Sequence, residues 1–256
     1  MPSTQKIRLK TPDEVQAMAA AGEDLAEVFR ALRREGIVRP GITAREIDRF
    51  AEERIVEQGN LPAFKGYHGF PGSACVSIDD EVVHGIPGDR VIEDGDVVSV
   101  DIGLIREGWH ADSAETIGVG TVRPEVERLL RVTQQALADG IDACRPGKSL
   151  VDIGRAIEHQ ARENGYGLVE SMAGHGIGRD LHEEPQVFNY ESFRVPNLEL
   201  EVGMVLALEP MFNLGTGRVR VGRDEWTIVT MDGEWSAHFE HTVAITEDGP
   251  WVLTAR

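Results

Sequence analysis

Four carboxylates at related positions in the two halves of the chain are the residues best suited to do chemistry. Asp101 and Glu209 each close a run of apolar residues, in the segments VVSVD and VLALE. Asp112 and Glu240 each follow a turn farther along the chain. If these groups met in a cleft of low dielectric, they would repel one another or take up protons unless cations held them. A single strand-end acid is usually a surface group, but four at related positions favour a site for two divalent metal ions.

Two histidines lie in the glycine-rich segment MAGHGIGRDLHEEP, and a third precedes them. They are His175 and His182, with His84 in VSIDDEVVHGIPG. Glycines on either side let the backbone approach a bound group, and a regular helix would not choose them. A lone histidine is more often structural, but two beside carboxylate strands suggest one metal ligand and one acid–base or substrate-holding group. The residue types alone do not rank the three.

An internal repeat indicates how the chain positions these residues. The segment RPGITAREIDRFAEERIVEQG, from Arg39, returns as RPGKSLVDIGRAIEHQARENG, from Arg145. Each copy has the apolar spacing of one amphipathic helix. A further helical pattern precedes each copy, at residues 12–35 and 124–143. Each half is therefore predicted to begin with a helix pair.

The ends of the repeated helices carry recognisable stop and start signals. Thr43 and Ser149 each lie two residues after a Pro-Gly dipeptide, where an N-cap is expected. Gly59 and Gly165 occupy the corresponding C-terminal positions, where a glycine commonly caps a helix. The two copies are thus predicted to start and stop at equivalent residues.

The repeat continues into strands that carry the carboxylates. IEDGDVVSVDIG, from Ile92, aligns with LEVGMVLALEPM, from Leu200, and places Asp101 opposite Glu209. Both segments are predicted to be strands that end on the carboxylate.

Each half is then predicted to form a hairpin with one carboxylate per strand. GWHADSAETIGV places Asp112 after a turn at 106–108, and WSAHFEHTVAI places Glu240 after the turn at Asp232 and Gly233.

These elements together predict an α+β fold with pseudo-twofold symmetry. A curved, largely antiparallel sheet would be covered by the two helix pairs, with the carboxylates at its centre. The length of 256 residues fits a single catalytic domain at 1–256, with repeat halves at about 12–121 and 124–250.

Composition limits the classes of partner and the compartment. The formal net charge of −18 disfavours nucleic acid, because phosphate binding needs clustered Lys and Arg side chains. No apolar run reaches the roughly 18 residues that would span a bilayer, so no membrane association is expected. The N-terminal residues contain no apolar signal core, which predicts a cytoplasmic location. Cys75 and Cys144 form no metal-binding pair and are expected to be buried.

Five short motifs then carry a resemblance to a known family: VVHGIP, DIGLIREGWHAD, GHGIGRDLHEEP, LALEP and SAHFEHT. They look like the motifs of the methionine aminopeptidases and occupy all five ligand positions of that family in order. The spacing between His182, Glu209 and Glu240 is too short for the helical insertion of the second type, which indicates type I. The absence of an N-terminal Cys-rich extension matches the bacterial short form of that type. The resemblance implies the pita-bread metallopeptidase fold, in agreement with the repeat.

The resemblance also implies the ligand set. Asp101 would bind one ion, Asp112 and Glu240 would bridge both ions, and His175 with Glu209 would complete the shell of the other. One imidazole among carboxylates suits Co²⁺, Mn²⁺, Fe²⁺ or Zn²⁺ without choosing between them.

The same resemblance implies the catalytic and substrate-binding residues. Glu209 would be the proton acceptor, and His84 and His182 would lie beside the scissile amide and hold the substrate. An apolar pocket for the methionine side chain would be formed by Phe64, Tyr67, Phe70, Cys75 and Trp226. Phe64 stands where many relatives have a cysteine, and Phe70 where a tyrosine is common.

The function implied is removal of the initiator methionine from nascent polypeptides when the second residue is small. The partners would be the N-termini of those polypeptides. We expect a monomer, and any ribosome association should be weak and local, because the acidic surface opposes docking on RNA.

Two alternatives remain open. The Xaa-Pro aminopeptidases and prolidases use the same five ligands, but they usually carry a substantial N-terminal domain, for which this sequence leaves no room. A non-catalytic relative that only binds peptides would be expected to have lost metal ligands, and here all five are present.

Overall fold

Two helix pairs and an antiparallel sheet organise residues 7–192 and 197–256, the part of the chain that the computed structural model describes. The helices are α1 (Pro12–Arg34), α2 (Ala44–Glu57), α3 (Pro124–Ala143) and α4 (Leu150–Asn164). The strands are β1 (Leu61–Pro62), β2 (Ala74–Ile78), β3 (Glu81–Val83), β4 (Val97–Arg106), β5 (Trp109–Gly118), β6 (Gly167–Leu168), β7 (Gly174–Gly176), β8 (Glu183–Val187), β9 (Val205–Leu208), β10 (Met211–Asn213), β11 (Val219–Val221), β12 (Ile228–Thr230), β13 (Ser236–His238), β14 (Glu240–Thr246) and β15 (Gly249–Val252). The predicted α+β class and the helix pair at the start of each half are confirmed.

Local capping explains where the repeated helices begin and end. Thr43 and Ser149 are the N-caps of α2 and α4, and each backbone N–H donates to the carboxylate three residues later. Gly165 caps α4 in the left-handed region, as predicted. The prediction for the first copy is displaced by one residue, because Gln58 caps α2 and Gly59, at φ +80°, follows it.

The main sheet has the strand order β1-β4-β5-β14-β9-β7-β8, with β2 also paired to β4 and β15 to β14. Every pairing within it is antiparallel, as predicted. β4 and β5 form the predicted hairpin around residues 107–108. The expectation that the first strand ends at Asp101 is wrong, because the ladder with β5 continues through Arg106. Backbone pairing, rather than the polarity of one side chain, sets the strand end.

The second half is not a simple hairpin. β9 stops at Leu208, one residue before the predicted end at Glu209, and β14 starts at Glu240. β9 and β14 pair directly, but β10 to β13 lie between them in the chain. The turn at Asp232 and Gly233 joins β12 to β13 rather than preceding β14. These intervening strands form two small sheets, β13-β10-β6 and β11-β12-β3.

Each helix pair packs on its own part of the sheet. The first core joins α1 and α2 to β2 and β4, and its fully buried members include Leu25, Phe29, Ile47, Ile55 and Val100. The second joins α3 and α4 to β9 and β14, and its members include Leu129, Ile153, Ile157, Leu206 and Val243. The two cores lie at equivalent places in the two halves, as a repeat predicts. Residues 193–196 of the second half lie outside the described residues. The single-domain organisation with these two halves stays a prediction.

The two cysteines are both buried and free, as predicted. In the described ranges, no helix is apolar over a length that would cross a membrane.

Candidate metal centre and substrate pocket

A cavity of about 430 Å³ brings together every residue predicted for the site. Its lining consists of Phe64, Tyr67, His68, Phe70, Cys75, His84, Asp101, Asp112, His175, Leu181, His182, Glu209, Trp226 and Glu240. A larger surface depression of about 610 Å³ lies elsewhere, beside α4 and β11, and none of the predicted site residues lines it. We therefore take the smaller cavity as the candidate site.

The register of the sheet explains why three of the carboxylates meet. Asp101 on β4 and Glu240 on β14 are both paired with Ala114 of β5, one from each side. Directly paired residues share a face of the sheet, and so do residues two apart along a strand. Asp112, two residues before Ala114, therefore points to the same side. All three side chains project from the middle of the sheet into the cavity.

Glu209 and His175 complete the group from the neighbouring strands. Leu208 pairs with His241, so Glu209 follows β9 at the level of Glu240. His175 on β7 pairs with Ala207, two residues before Glu209. The Nε2 atom of His175 lies 3.9 Å from Oε1 of Glu209 and 4.0 Å from Oδ2 of Asp112.

The orientation of His175 suits a metal ligand. Its Nδ1 atom lies 2.9 Å from the carbonyl oxygen of Gly176, which can only accept, so Nδ1 carries the proton. Burial lowers the pKa of His175 to about 3, and the ring is neutral at pH 7. Its Nε2 lone pair therefore faces the carboxylates, the arrangement typical of a histidine that binds a metal. Asp112, His175 and Glu240 each offer one ligand atom, and these atoms lie within 4.8 Å of one another.

The electrostatics of the carboxylates test whether a cation fits. Burial raises the pKa of Asp101, Glu209 and Glu240 well above their usual values, and their acidic neighbours raise it further. Burial also raises the pKa of Asp112 to about 7. Asp101 Oδ1, Asp112 Oδ1 and Glu240 Oε1 are buried without a hydrogen-bond partner. Oxygen atoms that are desolvated, mutually repelling and unpaired fit a divalent metal.

His238 belongs to the same group and was not predicted. Its Nε2 atom lies 3.8 Å from Oε2 of Glu209 and 4.0 Å from Oε2 of Glu240. Burial lowers the pKa of His238 to about 3, so these contacts are not ion pairs at neutral pH. Both ring nitrogens are buried without a partner. The signal was present in the sequence, because His238 precedes Glu240 by two residues in an extended segment.

The other two histidines lie on the substrate side of the cavity. His84 follows β3 with φ +60°, and burial lowers its pKa to about 4. His182 is exposed at the cavity mouth, and its ring lies 4.2 Å from that of His175. The hydroxyl of Tyr67 lies 2.8 Å from Nδ1 of His182. Tyr67 thus contacts a histidine in addition to lining the pocket.

An apolar wall faces the acidic group, which consists of the carboxylates of Asp101, Asp112, Glu209 and Glu240. Phe64, Phe70 and Cys75 are buried, and Trp226 packs edge-on against Phe70 with 5.2 Å between ring centroids. These side chains belong to a third hydrophobic cluster between the two cores, which also contains Leu181. The predicted pocket residues therefore line one continuous surface.

A buried ion pair holds the loop that carries His182. The Nζ atom of Lys10 donates to Oε2 of Glu183 at 2.7 Å, and the two side chains are 2% and 12% exposed. The other carboxylate oxygen of Glu183 accepts from the backbone N–H of Arg179 at 2.7 Å and of Asp180 at 3.3 Å. This pair was not predicted, because its members are far apart in the chain.

Comparison with known proteins agrees with this geometry. Residues 16–247 match the family described as metallopeptidase family M24. The chain belongs to that family. It is 46% identical to methionine aminopeptidase 1 of Bacillus subtilis over 97% of this chain and 99% of the relative. It is 45% identical to the methionine aminopeptidase of Clostridium perfringens over 97% and 98% of the two chains.

Solved structures show the same relationship. The methionine aminopeptidase of Rickettsia prowazekii superposes with a TM-score of 0.94 at 37% identity, over 98% of this chain and 100% of that one. The prolidase of Pyrococcus furiosus has a TM-score of 0.78 at 24% identity, over 97% of this chain and 65% of that one, and shows the fold alone. The predicted resemblance to methionine aminopeptidases, the pita-bread fold and the metallopeptidase class are confirmed.

Proposed function

We propose that this chain is a metal-dependent aminopeptidase that removes the N-terminal methionine from new polypeptides. The proposal rests on one observation: the acidic group and the apolar wall line the same cavity. An exopeptidase needs both features, a hydrolytic centre and a pocket that recognises one terminal side chain. The relatives named methionine aminopeptidase match nearly the whole chain.

We propose two divalent ions at the acidic group, with Co²⁺, Mn²⁺, Fe²⁺ and Zn²⁺ all compatible with the donor set. Asp101 would hold one ion, Asp112 and Glu240 would bridge, and His175 and Glu209 would hold the other. When bound, such ions lower the pKa of water and polarise the scissile carbonyl.

His182 would donate to the substrate oxygen that gains charge. With the Tyr67 hydroxyl as donor to Nδ1, the neutral ring carries its proton on Nε2, which then serves as the hydrogen-bond donor. His84, which lines the same cavity and is neutral at pH 7, would hold the substrate backbone. Glu209 would take the proton of the attacking water and return it to the leaving amine.

The apolar wall would select the side chain. Phe64, Phe70 and Trp226 offer aromatic faces and edges, and a thioether makes favourable contacts with such rings. Cys75 adds a small, soft surface to the lining of the cavity. We propose that a small second residue is required because the substrate must leave the cavity past exposed His182.

The proposed substrates are the N-termini of nascent polypeptides, and the enzyme would act as a cytoplasmic monomer where those chains emerge. Any ribosome contact would be weak, because the net charge of −18 opposes approach to RNA.

The test is release of amino acids from Met-Ala-Ser and Ala-Pro by the metal-stripped chain, before and after addition of Mn²⁺, Fe²⁺ or Co²⁺. We expect metal-dependent release of methionine alone, and no release by the variant Asp112→Asn at the same metal concentration. Cleavage of Ala-Pro would assign the chain to the proline-specific peptidases. Cleavage of neither peptide would favour a binding protein.

A further inference from the structure

The two strands that carry Asp112 and Glu240 share few backbone hydrogen bonds. The ladder between β5 and β14 contains the pairs Glu240 with Ala114 and His241 with Ser113. By contrast, β4 and β5 are paired along their whole lengths. The separation of the two carboxylates proposed to bridge the metals therefore depends on other contacts.

Side chains supply these contacts beside the carboxylates. The hydroxyl of Thr242 donates to the carbonyl oxygen of Asp112 at 2.8 Å and accepts from its N–H at 3.1 Å. The hydroxyl of Ser113 donates to the carbonyl oxygen of Glu240 at 2.7 Å. Each hydroxyl thus bridges β5 and β14 at a carboxylate-bearing residue.

Arg256 donates a hydrogen bond to the Ser113 hydroxyl that bridges the two strands. Its Nη2 atom donates to the Ser113 hydroxyl at 2.6 Å and to the carbonyl oxygen of Ala114 at 3.4 Å. Its Nη1 atom donates to Oε2 of Glu115 at 3.2 Å. The Arg256 side chain is only 8% exposed, and its guanidinium carbon lies 3.8 Å from the ring centroid of Phe29. The guanidinium is therefore held through both terminal nitrogens, although Nε is buried without a partner, and it contacts three successive residues of β5.

We propose that Arg256 is a positioning residue for the metal centre. By fixing the Ser113 hydroxyl, it sets the spacing of the strands that carry Asp112 and Glu240, and so the distance between these carboxylates. The inference rests on the proposed function, because it assumes that these carboxylates bind metal. Arg256 would touch neither the metal nor the substrate.

Arg33 provides a matched control. It also forms an ion pair with Glu115, but its side chain is half exposed. Among the contacts described for the two arginines, only those of Arg256 reach Ser113. The variants Arg256→Met and Arg33→Met therefore each remove one cation from Glu115, and only the first removes the support of Ser113. Arg256→Met also removes a charge that attracts Asp101 and Glu240, so Ser113→Ala, which keeps that charge, is measured beside it.

The experiment is calorimetric titration of the metal-stripped full chain with MnCl₂, together with thermal unfolding of each metal-free variant. Loss of a group that orients a metal ligand commonly weakens affinity 10- to 100-fold. We expect Arg256→Met to weaken Mn²⁺ binding by roughly tenfold, at the lower end because Arg256 acts through Ser113. Ser113→Ala should weaken it similarly, and Arg33→Met should stay within about twofold of wild type.

Wild-type affinity in Arg256→Met, or equal weakening in Arg33→Met, would overturn the inference. If Arg256→Met does not fold, Ser113→Ala decides the question, and unchanged Mn²⁺ affinity in that variant would overturn the proposal. Failure of the wild-type chain itself to bind Mn²⁺ would instead overturn the proposed function, and the inference with it.

Discussion

Gly103 and Phe64 form a pair whose sizes are matched, and substitution of the glycine should disturb the substrate pocket. A Cβ atom added at Gly103 would lie 2.6 Å from Cε1 of Phe64, and 3.1 Å from Cδ1 of Phe64 and from Cβ of Ala63. Carbon atoms pack at about 3.5 to 4.0 Å, so the ring would have to move by roughly 1 Å. Gly103 lies in the regular ladder of β4 opposite Asp112, and an alanine fits a strand backbone there. The cost is therefore steric.

The size of the effect follows from two opposing terms. An extra methyl group in a well-packed region costs about 1 to 3 kcal/mol. Replacing glycine by alanine recovers about 0.4 to 1 kcal/mol, because the unfolded chain loses freedom. We expect Gly103→Ala to lower the free energy of unfolding by about 1 to 2 kcal/mol. Because Phe64 lines the cavity, its displacement should also raise KM for Met-Ala-Ser, by roughly 5- to 30-fold if the same energy is lost from binding.

A double-mutant cycle with Phe64→Ala isolates the contact. Urea unfolding of the metal-free protein and steady-state kinetics would be measured for both single variants and the double variant. Removing the ring removes the clash, so the coupling energy should be at least about 1 kcal/mol. Gly88→Ala is the control, because its added Cβ would meet Ile86 at 3.8 Å. Additive effects within about 0.5 kcal/mol would refute the proposed clash.

Three further perturbations test other parts of the site. Tyr67→Phe should lower kcat by roughly tenfold with little change in thermal stability, because His182 loses its orienting partner. An unchanged kcat in steady-state assays would contradict this role. Lys10→Met should lower the free energy of unfolding, measured with urea, by about 2 to 3 kcal/mol. This loss is smaller than for most buried ion pairs because backbone N–H groups still donate to Glu183. Adding Glu183→Gln to this variant should restore part of the loss. Free Mn²⁺ at 100 times its dissociation constant should raise the free energy of unfolding by about 2.7 kcal/mol, and Asp112→Asn should reduce this gain; a gain equal to wild type would contradict the ligand assignment.

Local signals were sufficient to place the helices and the strands that carry or directly precede the four carboxylates, whereas short strands such as β10 to β12 were not predicted. The N-caps at Thr43 and Ser149 are local features, and the structure places α2 and α4 directly after them. The sequence defines the helix ends less closely, since Gln58 rather than Gly59 caps α2. The end of β4 could not be predicted from Asp101, because the ladder with β5 decides it.

The site was predictable where its residues follow a repeat and unpredictable where they depend on tertiary contacts. Asp101 and Glu209 occupy equivalent positions in the two halves, so each supports the other. His238 precedes Glu240 by two residues as His110 precedes Asp112, but His110 contacts the carbonyl oxygen of Gly178 at 3.3 Å, so equivalence in the repeat does not identify His238 as a site residue. Lys10 and Arg256 contact residues far away in the sequence, and no local pattern marks either side chain as buried.

The balance of charge around the acidic group explains why its residues suit a bound metal cation. Burial lowers the pKa of His84 to about 4 and of His175 and His238 to about 3, so these three imidazoles supply no positive charge at neutral pH. Arg256 attracts Asp101 and Glu240 electrostatically, but burial and the other carboxylates outweigh it in the pKa of both groups, and its guanidinium is hydrogen-bonded to Glu115. One shared cation does not offset four carboxylates. Without metal, the group would therefore have to hold protons, and each divalent ion that binds must displace them. Metal binding should consequently release protons and weaken as the pH falls.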